Sequence, residues 1–441
     1  MIGLVMDYPE SAIFLSIALF CLVQSWLLKR DFFSPANVFC FSQSITLGIA
    51  YMQLTPTMSE LHFNTWLALI GGGISFMGGC FCLRLVWKQK QLPANDVGPV
   101  PVYDYRWKLH FSLTCFLFLV YVASFYGIIK VAGNLLLLTG NPADWMGKEI
   151  NYGYYPYLFM SGPLVVMLYG VSSFKSLNPH KALRICSAIM CFIAIALNVI
   201  AYPNRSALFF SIASIIIFWN FLRRKIPAVL IMITLALAVV AFVAVSTLRE
   251  QYGSNSVESY ALEYVVELPY KYVANNYWNL DYGLNPGVDN ELHPYTYGID
   301  AFFGMFELLR VSGALRTSYG WDGPFNESIE KEHGFNTVSY LWDLHKDFGW
   351  PGMFILPFIC GFMVSFLYNL MRTSYKPRNV IFYVFFVYFV GWWFFTSAYK
   401  QGIYWIWALL MFCVTTLCNA KQLIPDNTDN QSDNQQKANI Q

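Results

Sequence analysis

Residues 184–225 read RICSAIMCFIAIALNVIAYPNRSALFFSIASIIIFWNFLRRK. A basic residue opens an apolar run, Pro203-Asn204-Arg205 breaks it, and a second apolar run ends on Arg223-Arg224-Lys225. Runs of about twenty apolar residues match the ~30 Å hydrocarbon core of a bilayer. Lys and Arg gather on the cytoplasmic side of short membrane loops. The stretch therefore predicts a transmembrane hairpin that starts inside, turns outside at Arg205 and returns. Working outward, the same pattern recurs near 11–28, 35–54, 64–86, 109–129, 156–174, 226–247, 350–371, 379–398 and 402–419. With 184–203 and 206–222 this predicts an all-α polytopic membrane protein of about eleven transmembrane helices. The N-terminal residues lack the basic region and small-residue cleavage site of a signal peptide, so the first run reads as a retained helix.

Composition agrees. Of 441 residues, 56% are hydrophobic and only 12% charged, about half the charged share of a soluble domain. With the N-terminus outside, 18 of the 28 Lys and Arg fall in cytoplasmic segments, while 20 of the 26 Asp and Glu fall outside. Every short loop obeys this alternation, which predicts an N-out, C-in topology and an odd number of helices. The chain divides into helices 1–8 (residues 1–248), a large loop (249–347), helices 9–11 (348–420) and an Asn-, Gln- and Asp-rich tail (421–441) that reads as disordered and cytoplasmic. All ten cysteines lie in or beside apolar segments, which suits helix packing better than disulfide staples or a metal site. No internal repeat is present, which weakens a transporter reading.

The loop 249–347 faces outward in this topology. Residues 257–273 and 300–316 have helical patterning, the second suited to lying in the membrane interface. Tyr, Trp and Asn are abundant, among them Tyr277, Asn279, Tyr319 and Trp321. Rings that stack on sugar faces and amides that pair with hydroxyls make these candidate glycan-binding residues. An aromatic belt at the membrane–water boundary is the plainer alternative. The loop holds fifteen acids against six bases, so a generally basic surface gripping anionic headgroups is excluded. Five outward cations sit at or near helix ends: Arg205, Arg249, Arg310, Arg316 and Lys400. They are candidate diphosphate ligands, arginine by its planar fork, or else they snorkel or pair with nearby acids. Arg205 stands out because a lone charge is costly at membrane depth.

No nucleotide-binding loop, zinc-protease helix or Asp-x-Asp pair occurs, so neither metal nor cofactor is expected, and nothing points to nucleic acid. Few ionisable residues lie deep in a helix, which argues against a pump.

Asn336-Thr337-Val338-Ser339-Tyr340-Leu341, followed by Asp347-Phe348-Gly349-Trp350-Pro351-Gly352 at the mouth of the ninth helix, resembles the oligosaccharide repeat-unit (O-antigen) polymerases. The layout is similar too, with many helices, one large late outward loop and an Arg-bearing turn, here Asn204-Arg205-Ser206. The tract from Tyr272 through Asn276-Tyr277-Trp278-Asn279 to Asp281 also looks like that family's mid-loop. The resemblance covers about the second half of the chain. It implies a GT-C-like membrane glycosyltransferase of the bacterial inner membrane with its active site facing the periplasm. Donor and acceptor would be glycans on undecaprenyl diphosphate, joined without a metal. Membrane lipids and a chain-length regulator would be its partners. The departing diphosphate must be neutralised, and the acceptor hydroxyl must lose a proton to a nearby base. His333, Asp347, Glu332 and Asp300 are the base candidates, with Asp347 alternatively capping the ninth helix. Asn336 joins the candidate substrate contacts. The ligases that attach finished glycan to lipid A core look similar and would put His333 in the catalytic place. A flippase or transporter of lipid-linked sugars is the reading from another class.

The topology has a direct test. Green fluorescent protein fused after Arg224 should fluoresce and alkaline phosphatase fused after Asp289 should be active. The opposite pair of results would reverse the orientation.

Overall fold

The computed structural model describes residues 9–27, 31–54, 60–87, 105–133, 154–201, 205–223, 226–227, 229–231, 233, 267–285, 295–309, 311, 337–397 and 400–419. The described part is all-α, with thirteen helices: α1 Pro9–Leu27, α2 Pro35–Ala50, α3 Phe63–Val86, α4 Trp107–Ala132, α5 Tyr155–Phe159, α6 Gly162–Ser172, α7 Lys181–Ala201, α8 Arg205–Leu222, α9 Leu268–Leu284, α10 Phe303–Leu308, α11 Tyr340–Ser374, α12 Pro377–Trp392 and α13 Gly402–Cys418. Four segments are long and apolar enough to cross a membrane: Phe63–Val86, Trp107–Val131, Lys181–Asn198 and Tyr340–Ser374. Large apolar side chains such as Phe192 (72% exposed), Ile74 (68%) and Phe116 (64%) point out of the bundle. Inside it, Ser42, Thr46, Thr114, Ser172 and Thr415 are buried, each returning its hydroxyl to a carbonyl three or four residues back. Apolar outside and small polar inside is consistent with a polytopic membrane protein.

Contacts sort the helix ends into two sets. At one end, Ser11 donates to the Gly48 carbonyl and Tyr270 to that of Ala50. His62 meets Asp281 there, and Lys400 meets Asp343. At the other end, the loop carboxylate Asp31 accepts from Asn220 and Tyr368, Tyr383 donates to the Phe33 carbonyl, and Arg106 N–H donates to Cys418 O. Burial pushes the Asp31 carboxyl up, and the Arg372 guanidinium opposes that shift. Successive helices thus run in alternating directions, as the segment reading requires.

α11 against α3 is the closest packing. A Cβ built on Gly79 would lie 2.0 Å from Phe358 O, and one on Gly361 would lie 2.1 Å from Phe76 O. Neither position admits a side chain without moving a helix axis. Small residues that let backbones approach are the usual device for helix association where lipid supplies no hydrophobic drive. A column of rings continues from this contact: Phe39 on Phe76 at 4.3 Å, Phe76 on Trp393 at 5.6 Å, and Trp393 on Tyr340 at 4.5 Å.

Several expected segments change shape. The span expected at 156–174 is two helices, broken at Met160-Ser161, because Pro163 has no N–H to donate to the carbonyl four residues back and its ring crowds that turn, so it fits only the first turn of a new helix. The ninth span begins ten residues early, at Tyr340, and breaks at Gly349 (φ 63°, ψ −153°). Glycine tolerates that left-handed conformation, and Pro351 fits the first turn of the helix that restarts after it. Residues 257–266 of the helix expected at 257–273 lie outside the described residues; a helix over Leu268–Leu284 makes the supposed mid-loop tract helical, packed on α2 and α3. The interfacial helix expected at 300–316 is described only as the short α10. The helix before Tyr399 stops at Trp392. Most of 226–247, and the tail 421–441, lie outside the described residues.

The α3–α11 contact predicts that Gly79→Leu or Gly361→Leu destabilises the protein by about 1–3 kcal/mol or more through overpacking. Gly73→Ala, whose nearest neighbour would be 3.7 Å away, should be near neutral. Thermal unfolding of the purified variants in detergent measures the difference; equal midpoints for all three would contradict the packing.

Candidate functional site

The first half of α11 carries Asp343, Lys346 and Asp347 on one face, spaced three and four residues apart. Asp347 grips the turn at 296–301. Its Oδ1 accepts the Thr296 hydroxyl (2.5 Å) and the amides of Gly298 (2.9 Å) and Asp300 (3.0 Å), and its Oδ2 accepts the Ala301 amide (2.6 Å). The turn needs left-handed backbone at Tyr297 and Gly298, and the Thr296 and Tyr297 amides close it by donating to the carbonyls of Lys346 and Asp347. Four donors fill the acceptor positions of one carboxylate. Asp347 is therefore a structural clamp, neither a helix cap nor a base open to substrate.

Asp300, the second described base candidate, is fully buried and ion-paired to Lys346 at 3.0 Å. Lys400 is also buried, and its ammonium contacts Asp343. A diphosphate reaching Lys400 would have to displace that carboxylate. The expected outward cation is thus one half of a buried pair, the alternative that the sequence left open. Ion pairs this deep owe little net stability to their charges, because desolvation offsets the attraction, but removing one partner strands the other.

α9 lies across the same end of the bundle. The Tyr277 hydroxyl meets Thr46 at 2.6 Å, and the Asn279 amide donates to Thr337 O at 2.8 Å. Both expected glycan contacts are buried, and these bonds tie their polar groups to the protein. Tyr51, Gln53, Leu61, Tyr277 and Trp278 line a shallow surface recess of about 20 Å³, in which Tyr277 itself is buried. Beside it, Asp281 accepts the His62 amide (2.8 Å), the Thr65 hydroxyl (2.5 Å) and a bond from His62 Nδ1 (2.7 Å).

A second cleft, of about 60 Å³, lies at the same end among α5–α8 and α13. Phe159, Phe210, Tyr404 and Trp407 give it ring walls, and Asn198 and Gln401 give it amides. The Asn198 Nδ2 and Trp407 Nε1 donors are buried without a partner among the described residues. Ala207, two residues after the start of α8 at Arg205, lines it as well. The Arg205 side chain lies outside the described part, and so do residues Arg249, Arg310, Arg316, Glu332, His333, Asn336, Tyr319 and Trp321.

Asp300, Tyr277, Asn279, Asp347 and Lys400 therefore gather at one end of the bundle, mostly in roles internal to the protein. Sequence reasoning missed His62, Asp281, Asn198 and Trp407. His62 and Asp281 are 219 positions apart, and no local spacing signals their meeting. No cluster of metal-ligating side chains occurs among the described residues.

Lys400→Met alone should destabilise the protein by about 3–5 kcal/mol, because it strands buried Asp343. Adding Asp343→Leu should recover most of that loss. Denaturant unfolding in detergent would report it, and equal losses for the single and double variants would remove the pair from its structural role. Comparison of the chain with protein-family models, with curated proteins and with solved structures finds no match.

Proposed function

We propose that the chain is a membrane glycosyltransferase that polymerises undecaprenyl-diphosphate-linked repeat units on the periplasmic face of the bacterial inner membrane. In this reading eleven helices span N-out, C-in in a GT-C-like arrangement, and the end bearing His62 and Lys400 faces outward. The charge asymmetry of the loops supports that orientation.

One observation carries the functional reading. The cleft beside the start of α8 combines ring-lined apolar walls with two donors that have no partner among the described residues, the Asn198 amide and the Trp407 indole N–H. A polyprenyl diphosphate needs both, an apolar wall for its first isoprene units and donors for its oxygens. Arg205 begins the helix beside that cleft, where its fixed charge would neutralise the leaving diphosphate. The shallow recess, with Tyr51, Tyr277, Trp278 and Gln53, supplies rings and an amide suited to a sugar. The motif that carries the family resemblance has a structural role. Its Asp347-Phe348-Gly349-Trp350-Pro351-Gly352 portion forms the clamp and the break in α11 that hold this end together.

Purified protein given fluorescent lipid-linked repeat units in detergent should build ladders of increasing length. Arg205→Ala should stop ladder growth while the protein still inserts and accumulates. Transfer of finished glycan to a lipid A core acceptor without ladders would replace the reading with a ligase, and translocation across vesicles without ladders would replace it with a transporter.

A further inference from the structure

We propose that His62 is the catalytic base that takes the acceptor hydroxyl's proton, with Asp281 as its positioning residue. This inference rests on the polymerase reading and deepens it. The two side chains differ sharply in exposure, 65% for His62 and 4% for Asp281. A buried carboxylate that orients an exposed imidazole is the arrangement of a working acid–base pair, in which a third group fixes the base's ring and tautomer.

The geometry fixes both. Asp281 Oδ1 accepts the backbone amide of His62 at 2.8 Å, and Oδ2 contacts the Nδ1 of the same residue at 2.7 Å. The backbone and ring of His62 are thus pinned by one carboxylate. As an ionised acceptor, that carboxylate requires Nδ1 to carry the proton. The Nε2 lone pair is then left for a substrate. The carboxylate is itself braced, with Thr65 donating to Oδ1 at 2.5 Å and Asn285 donating from the next turn of α9.

Position supports the role. Leu61, next to His62, lines the shallow recess, and so do Tyr277 and Trp278, one helical turn before Asp281. A sugar resting against the partly exposed Trp278 would bring its hydroxyls to the imidazole at the rim. Among the buried carboxylates at this end, Asp300 is engaged with Lys346, Asp343 with Lys400, and Asp347 with the 296–301 turn, while the exposed Glu10 and Glu60 also lie near Tyr51. Asp281 also caps the start of α3, but a cap needs only the backbone amide and the Thr65 hydroxyl. The imidazole contact is additional to it.

The step balances. The acceptor hydroxyl oxygen bonds to the donor's anomeric carbon as that carbon's bond to the lipid diphosphate breaks, and the electron pair leaves on the diphosphate. The hydroxyl proton passes to His62 Nε2, the buried Asp281 charge stabilises the imidazolium, and water removes the proton afterwards.

The test uses the full-length protein, fluorescent lipid-linked repeat units and ladder formation as the readout. Wild-type ladders must be seen first, since their absence would fail the polymerase reading and not this one. His62→Gln should then slow elongation about 10²–10⁴-fold, the span of general-base effects, with thermal unfolding unchanged. His62→Ala should regain part of its rate when imidazole is added. Asp281→Asn, which presents an N–H to Nδ1 and so favours the wrong tautomer, should lower kcat with little change in KM for the acceptor. Wild-type rates in His62→Gln, or a His62→Ala defect that imidazole does not relieve, would overturn the proposal.

Discussion

Gly79 and Gly361 let α3 and α11 approach until backbone touches backbone, and the described end of the bundle is arranged from that contact. Were either residue larger, α11 would stand off and its first half would shift with it. That half carries the Asp347 clamp, the Asp343–Lys400 pair and Tyr340, whose ring closes the column through Trp393 and Phe76. Van der Waals contact between backbones is weak per atom, but it is summed along two long helices, and in lipid no hydrophobic drive would replace it.

The polar chemistry follows from that frame. Two buried ion pairs and one fully bonded carboxylate lie on or against the same helix face. They hold two segments that arrive from far along the chain, the 296–301 turn and the residues before α13. Charges buried this way are poor sources of net stability but strict selectors of geometry, because a misplaced partner leaves an uncompensated ion. Among the described residues, His62 keeps an exposed imidazole oriented by a buried carboxylate, and the Asn198 amide and Trp407 indole are two of the buried groups without a partner.

Among the described residues, those that looked most like chemistry in the sequence hold the fold. Asp347 and Gly349 stand in a motif that resembles a family of polymerases, yet in the structure they clamp a turn and break a helix. Tyr277 and Asn279 look like glycan contacts, yet they bond Thr46 and Thr337. A dense motif at a helix mouth reports a demanding backbone geometry as readily as it reports a reacting atom, since positive φ, a proline restart and a buried carboxylate each tolerate few residue types.

Hydrophobic run length and the pattern of Lys and Arg determined the helical class, the approximate positions of most described segments and the alternation of direction. Those properties are local and additive along the chain, so one sequence carries them. Tertiary structure alone decided that α9 is a helix seated on α2 and α3, that Lys400 is the buried partner of Asp343, and that His62 meets Asp281. Each depends on residues scores or hundreds of positions apart, brought together by helix packing, and the free energy of such a contact has no signature in the spacing of its members.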